Sequence, residues 1–273
     1  MGAKRLFHNG AAGVSPVPTK GTQARNTTLL CKSKPSSKQR RIAVVITCEH
    51  GGNRVPRRYA RLFAPHQALL ESHRGWDPGS LDMARAFARG FDAPLIASTT
   101  TRLLVELNRS PHHRSLFSTI TRDLPDAEKA EIWRRWYDPH RRRVVEEIQR
   151  SLSRADVVLH LAMHTFTPVF DGVTRTTDIG LLFDPSRPLE KRLCTAWQHA
   201  LREARPDLTI HRNQPYRGVS DGLGTALRRD WPASRYAAME LEVNHRFAIG
   251  PAPPWRQLIR TLVHTCHEAI NSM

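Results

Sequence analysis

The sequence predicts an α/β domain whose apolar strands end in groups able to do chemistry. Three observations predict it. Beyond residue 41, apolar β-forming runs alternate with amphipathic helical stretches, the pattern of α/β architecture. Several of those runs end in His, Asp, Glu or an Asn-Arg pair. The first run, Val44-Val45-Ile46-Thr47-Cys48-Glu49-His50-Gly51-Gly52-Asn53, carries an acid and an imidazole into a tight turn. In open α/β sheets that carboxyl edge is where ligands bind.

Taken in order, strands are predicted over 42–48, 94–98, 102–107, 156–163, 179–183, 208–212 and 236–243. A helix is predicted from Asp77-Pro78 through 90: Asp77 can cap it, Pro78 suits its first turn, and Leu81, Met83, Ala84 and Phe87 give it an apolar face. Residues 124–152 repeat apolar positions at helical spacing (Ile132, Trp136, Val144, Val145, Ile148, Leu152), with Pro139 expected to break or kink the helix. Two further helices, 187–204 and 254–271, are each introduced by proline. Polar loops at 110–123, 165–178 and 213–224 are placed to converge on one cleft.

The formal net charge is +17, but it is unevenly spread. Residues 1–41 hold nine Lys/Arg and no acid, the first acid of the chain being Glu49. This Ser-, Thr-, Gly- and Pro-rich stretch is predicted to be a disordered basic leader, followed by one α/β domain over 42–273. Its composition fits a transit segment, a loose tail for nucleic acid or membrane, or a start site placed too far upstream. No run approaches the ~18–20 apolar residues of a membrane span. Four cysteines (Cys31, Cys48, Cys194, Cys266) show no C-x-x-C spacing, which argues against a disulfide framework or thiolate zinc site and for reduced cytoplasmic thiols.

Four segments can carry chemistry. His50 follows a strand, and Gly51 and Gly52 let backbone approach closely there. In Leu159-His160-Leu161-Ala162-Met163-His164-Thr165, a strand puts His160 and His164 on one face, with His164 at the end beside His50 and His160 buried further back. Glu240 and Glu242 share one face of the strand Ala238–Val243, where a carboxylate can act as general base. Leu107-Asn108-Arg109-Ser110-Pro111 ends an apolar run in an amide and a guanidinium, a fork that matches a carboxylate. Asp77 is a helix cap by default and a metal ligand as the alternative. Two His and an Asp can hold zinc with one position open, next to a carboxylate.

Six segments in this order, Cys48–Pro56, Trp76-Asp77, Leu107–Pro111, His164-Thr165-Phe166-Thr167-Pro168, Asn213-Gln214-Pro215-Tyr216 and Leu241–Phe247, together resemble the N-formylglutamate amidohydrolase family. The resemblance covers about 42–270. It implies a three-layer α/β/α fold with a central mixed sheet, zinc-exopeptidase-like (phosphorylase/hydrolase-like), and hydrolysis of the acyl amide of an N-formyl or N-acyl amino acid such as N-formylglutamate. It further implies one Zn2+ per chain on His50, Asp77 and His164, Glu242 as the acid that activates water, and Asn108 and Arg109 gripping a substrate carboxylate. His140, in Tyr137-Asp138-Pro139-His140, resembles a Pro-Tyr-His element that touches substrate, and Tyr216 is likewise expected to bind it. The carboxypeptidase His-x-x-Glu pattern is not kept, since Asn53 stands three residues after His50; the second ligand then comes from Asp77 rather than Glu49. The segment around His50 is similar to a Cys-Glu-His branch of the family rather than to the histidine-degradation enzymes. A different N-acyl amino acid, a peptide or a cell-wall fragment is the alternative substrate. A basic nucleic-acid-binding protein, built on the net charge and the Arg-rich helix 134–150, is the more distant alternative.

Overall fold

The computed structural model describes residues 40–273; the basic leader expected over 1–41 falls, but for its last two residues, outside them. Among the described residues eight strands form: β1 (Ile42–Cys48), β2 (Leu95–Ala97), β3 (Val157–Phe166), β4 (Val169–Phe170), β5 (Val173–Thr174), β6 (Ile179–Leu182), β7 (Ile210–Arg212) and β8 (Tyr236–Asn244). Six of them make one sheet in the order β2-β1-β3-β8-β6-β7. β1, β2, β3 and β8 run parallel, while β6 opposes β8, so the sheet is mixed as expected. β4 and β5 form a separate hairpin just past β3.

The helices are α1 (Ala60–Phe63), α2 (Gln67–Glu71), α3 (Ser80–Gly90), α4 (Asp126–Ile132), α5 (Asp138–Leu152), α6 (Pro188–Ala204), α7 (Leu223–Leu227) and α8 (Ala252–Asn271). β3 is buried along its whole length, which is why it reads as a near-continuous apolar run. Its alternate residues feed two cores. Val157, Leu159, Leu161 and Met163 pack with Phe87 of α3, Trp197 of α6 and Leu262 of α8. Val158 packs on the opposite face with Val144 and Ile148 of α5 and Leu223 of α7. The result is a three-layer α/β/α sandwich. Each fully buried Leu, Phe or Trp contributes roughly 1.5–3 kcal/mol of transfer free energy.

Three sequence expectations are corrected. Residues 102–107 are not a strand but a run of turns, although Leu103, Leu104, Val105 and Leu107 are all buried in a third apolar cluster with Phe63, Ile132 and Tyr137. The carbonyls a sheet partner would have taken are met by hydroxyls instead: Ser118 Oγ donates to Leu103 O at 2.5 Å and Thr121 Oγ1 to Leu104 O at 3.1 Å. The helix expected from Asp77 begins at Ser80, entered through Gly79 at φ 83°, a left-handed conformation glycine adopts without a Cβ penalty. The predicted break at Pro139 appears upstream, as a π-helical turn over Trp133–Tyr137 between α4 and α5.

Candidate active site

β3 and β8 set the frame of the site. They are parallel neighbours with His164 registered against Glu242 and His160 against Ala238. By the alternation of strands, His160, His164, Glu240 and Glu242 all face the layer that holds α5 and α7. β1 ends beside them, and the chain turns through Glu49 and His50 with Asp77 N donating to His50 O at 3.0 Å. The turn before α3 therefore hangs on the end of β1, and this brings Asp77 across from both imidazoles.

His50 Nδ1 lies 3.2 Å and His164 Nδ1 2.9 Å from the same oxygen of Asp77, Oδ2. The three ligand-type atoms lie within 4.8 Å of one another and all three residues are buried. The rings of His50 and His164 are 5.0 Å apart between centroids. The Asp77 side chain does not cap the helix as the default reading expects: it faces imidazoles, and only its backbone carbonyl serves the helix, accepting from Ser80 Oγ at 2.8 Å.

Both imidazoles have a carboxylate behind them. His50 Nε2 meets Glu106 Oε1, and His164 Nε2 stands 3.2 Å from Glu49 Oε2. Arg102 bridges the carboxylates, 3.2 Å from Asp77 Oδ1 and donating through Nε to Glu106 Oε2 at 2.7 Å. Burial opposes ionisation of Asp77, but His50, His164 and Arg102 outweigh it and hold the carboxyl well below the usual range. Glu106 is depressed in the same way, Arg102 and His50 overcoming its burial. Both imidazoles are pushed up against their burial, His50 by Glu106 and Asp77, His164 by Asp77 and Glu49.

This charge pattern tests whether the residues fit a cation. With neutral imidazoles, three carboxylates (Glu49, Asp77, Glu106) against one guanidinium (Arg102) leave two negative charges in a buried site. Either two imidazole protons or one divalent cation restores balance, and ligation needs the imidazoles neutral. Two imidazole nitrogens and one carboxylate oxygen, each imidazole backed by a carboxylate, form a donor set suited to a divalent transition metal. The residues fit.

A cavity of about 320 Å³ opens over the cluster, and His50, Asp77, His164, Asn108, Arg109 and Tyr216 line it together with Glu240 and Glu242. Glu242 is buried, and its Oε2 has no hydrogen-bond partner. Burial pushes its carboxyl up to about 8; His164 opposes this while Asp77 and Glu240 reinforce it. Asn108 Oδ1 accepts from Leu223 N at 2.7 Å, which fixes the side chain against the start of α7. The Arg109 guanidinium rests on the carbonyl of Asp221, and Tyr137 Oη donates to Arg109 O at 2.7 Å. Tyr216 sits on the far wall, accepting from Arg175 Nη1 at 3.1 Å.

The wall carrying Tyr216 comes close because position 180 is glycine. Gly180 on β6 is registered against Glu242, and a Cβ there would stand 2.0 Å from Gln214 O and 3.3 Å from Glu242 Cβ.

One expected site residue lies elsewhere. His140, read as a substrate contact, does not line the cavity; it is buried on α5, with Nε2 3.6 Å from Glu49 Oε1. α5 packs behind the sheet end, so Glu49 stands between His140 and His164. The sequence reading missed Arg102 and Glu106. The signal was an i, i+4 Arg-Glu pair inside an apolar run, since buried charges are retained only when paired.

The sequence profile of N-formylglutamate amidohydrolase matches residues 42–248. No curated protein matches the sequence. Among solved structures, a gene product of Agrobacterium tumefaciens is similar with a TM-score of 0.72 and 28% identity, covering 84% of this chain and 90% of its own. An N-formylglutamate amidohydrolase from Ralstonia eutropha shares the fold with a TM-score of 0.62 at 18% identity, covering 84% of this chain and 94% of its own. With the profile spanning most of its length, the chain belongs to the N-formylglutamate amidohydrolase family.

Proposed function

We propose that this protein is a zinc-dependent amidohydrolase that cleaves the acyl amide of an N-acyl amino acid. The observation that carries the reading is the meeting of His50 Nδ1, Asp77 Oδ2 and His164 Nδ1 under a cavity also lined by Glu242. Zinc suits two nitrogen donors and one oxygen donor with a position left open for substrate. When bound, such a cation supplies Lewis-acid polarisation of the scissile carbonyl and makes water more acidic at neutral pH.

The chain's own residues do the rest. Glu242 accepts a proton from the attacking water; the C–N bond then breaks, and the same carboxyl returns the proton to the leaving nitrogen. A neighbouring cation favours the ionised carboxylate, which offsets the upward push that burial exerts on Glu242. Arg109 and Asn108 orient the substrate carboxylate, Asn108 through the amide N–H groups left over once its oxygen has accepted from Leu223. Their contribution is positioning, worth rate because the amide is held near its attacker. Glu106 and Glu49 fix the imidazoles so that Nδ1 faces the cluster.

The test is a panel of N-acyl amino acids assayed with the purified protein before and after chelation. About one zinc per chain, hydrolysis of at least one compound, and loss and zinc-dependent return of that activity are expected. Metal-free protein that hydrolyses the panel equally well would remove the reading. No helix among the described residues is long and apolar enough to cross a membrane, and the proposed setting is the cytoplasm, with a small-molecule substrate.

A further inference from the structure

The cavity over the His-Asp-His cluster is continuous with a second chamber of about 520 Å³, and Asp77, Arg102, Thr165, Phe170 and Tyr216 line both. A formyl group is comparable to a single water, about 30 Å³ of liquid volume, and leaves such a chamber empty. The chamber's own walls are Phe166, Val169, Thr167, whose hydroxyl is spent on Val169 O at 2.8 Å, and the edge of His73, whose ring stands 6.5 Å from that of Phe170. Burial and the nearby Arg74, Arg102 and Arg175 push the His73 imidazole down, so it lines the wall as a neutral ring. Arg102 is committed to Asp77 and Glu106, and exposed Arg74 and Asp171 place opposite charges at the rim.

The wall is also preformed. Arg175 lies over three rings, 5.6 Å from the centroid of Phe166, 4.7 Å from Phe170 and 5.0 Å from Tyr216, clamping the β4–β5 hairpin to the Tyr216 loop. Large apolar side chains exposed among the described residues concentrate here: Val169, Phe170, Val173, Tyr216 and Val219 all belong to these two segments. Clustered exposed apolar groups beside a polar cleft mark a binding surface rather than ordinary scatter.

We infer that the second chamber takes the acyl half of the substrate, and that this half has an aromatic or apolar body larger than formyl. The amino-acid half then lies toward Asn108 and Arg109, with the scissile amide at Asp77 between them. The inference rests on the amidohydrolase reading for the identity of the two halves.

The experiment holds the amino acid constant as glutamate and varies the acyl group: formyl, succinyl and phenylacetyl. Binding is measured by calorimetry on zinc-loaded Glu242→Gln protein, and kcat/KM on the wild type. Phenylacetylglutamate is expected to bind about tenfold or more tightly than formylglutamate, the scale of burying part of a phenyl ring. Val169→Asp and Phe170→Asp, both at exposed positions, should erase that ratio. Equal affinities, or tightest binding by the anionic succinyl compound, would overturn the inference. Strong phenylacetyl preference without hydrolysis of any compound would remove the amidohydrolase reading alone; formyl hydrolysis with no preference would remove the chamber alone.

Discussion

Two histidines on one face of β3, four residues apart, have opposite surroundings. His160, in mid-strand, is fully buried between hydroxyls: Thr47 Oγ1 at 2.9 Å from Nε2 and Tyr236 Oη at 2.7 Å from Nδ1. Burial pushes its imidazole down to about 4, so it is a neutral packing residue. His164, at the strand's end, lies between the carboxylates of Asp77 and Glu49 and is pushed up instead. Residue type and strand face are the same in both. What differs is the distance to the sheet's carboxyl edge, where loops can bring acids in; that edge, not the imidazole, makes a site.

The contrast can be broken most directly by His164→Ala. Metal content should fall to near zero and turnover by about a thousandfold or more, since ligation and positioning are lost together; elemental analysis and a chelator titration measure it. Retention of a full zinc equivalent would show that the mid-strand region and the edge are not distinct in the way described.

Glu242→Gln sharpens the comparison on its acidic side. The folded protein holds the Glu242 proton up to about pH 8, against an ordinary value of 4.5. Above pH 4.5 the unfolded chain releases that proton and the metal-free fold does not, so ionisation drains stability from pH 4.5 until about pH 8. Gln removes this cost: metal-free Glu242→Gln should be more stable at pH 7 by about 3 kcal/mol, with the gain gone at pH 4. Denaturation curves at the two pH values read it directly. The same variant should keep its zinc while losing nearly all turnover.

His160→Leu is expected to do the reverse of His164→Ala. It strands the Thr47 and Tyr236 hydroxyls and costs about 2–3 kcal/mol of stability, with zinc stoichiometry unchanged. The smallest effect is expected from Glu106→Gln, where zinc affinity drops roughly 10- to 100-fold as His50 loses its charged partner. Competition with a chelator resolves this, and an unchanged affinity would mean that Glu106 merely neutralises Arg102.

Much of this was legible in the residues. The end position of His164 and the shared face of Glu240 and Glu242 follow from the period-2 pattern, and the geometry keeps them. Residues 102–107 look like a strand because an apolar run does not say what its carbonyls bond to; here Ser118 and Thr121, far along the chain, supply the partners a strand would have offered. Asp77 was ambiguous for a related reason. Its local neighbours, Pro78 and Gly79, describe a helix start equally well whether the carboxylate caps that helix or faces two imidazoles, one just past β1 and one on β3. Motif proximity places neither Glu106 nor His140, because their surroundings are set by α5 and by the turns after Arg102, which only tertiary packing brings into place.

Gly180 has a consequence for how this enzyme's cleft could diverge. The absence of a Cβ there sets the clearance between the Glu242 carboxylate and the aromatic wall opposite. Any methyl-bearing replacement would lever the Tyr216 segment outward and press on the β-carbon of Glu242, widening the gorge without changing which groups line it. The breadth of compounds admitted is thus tunable from a strand that touches none of them.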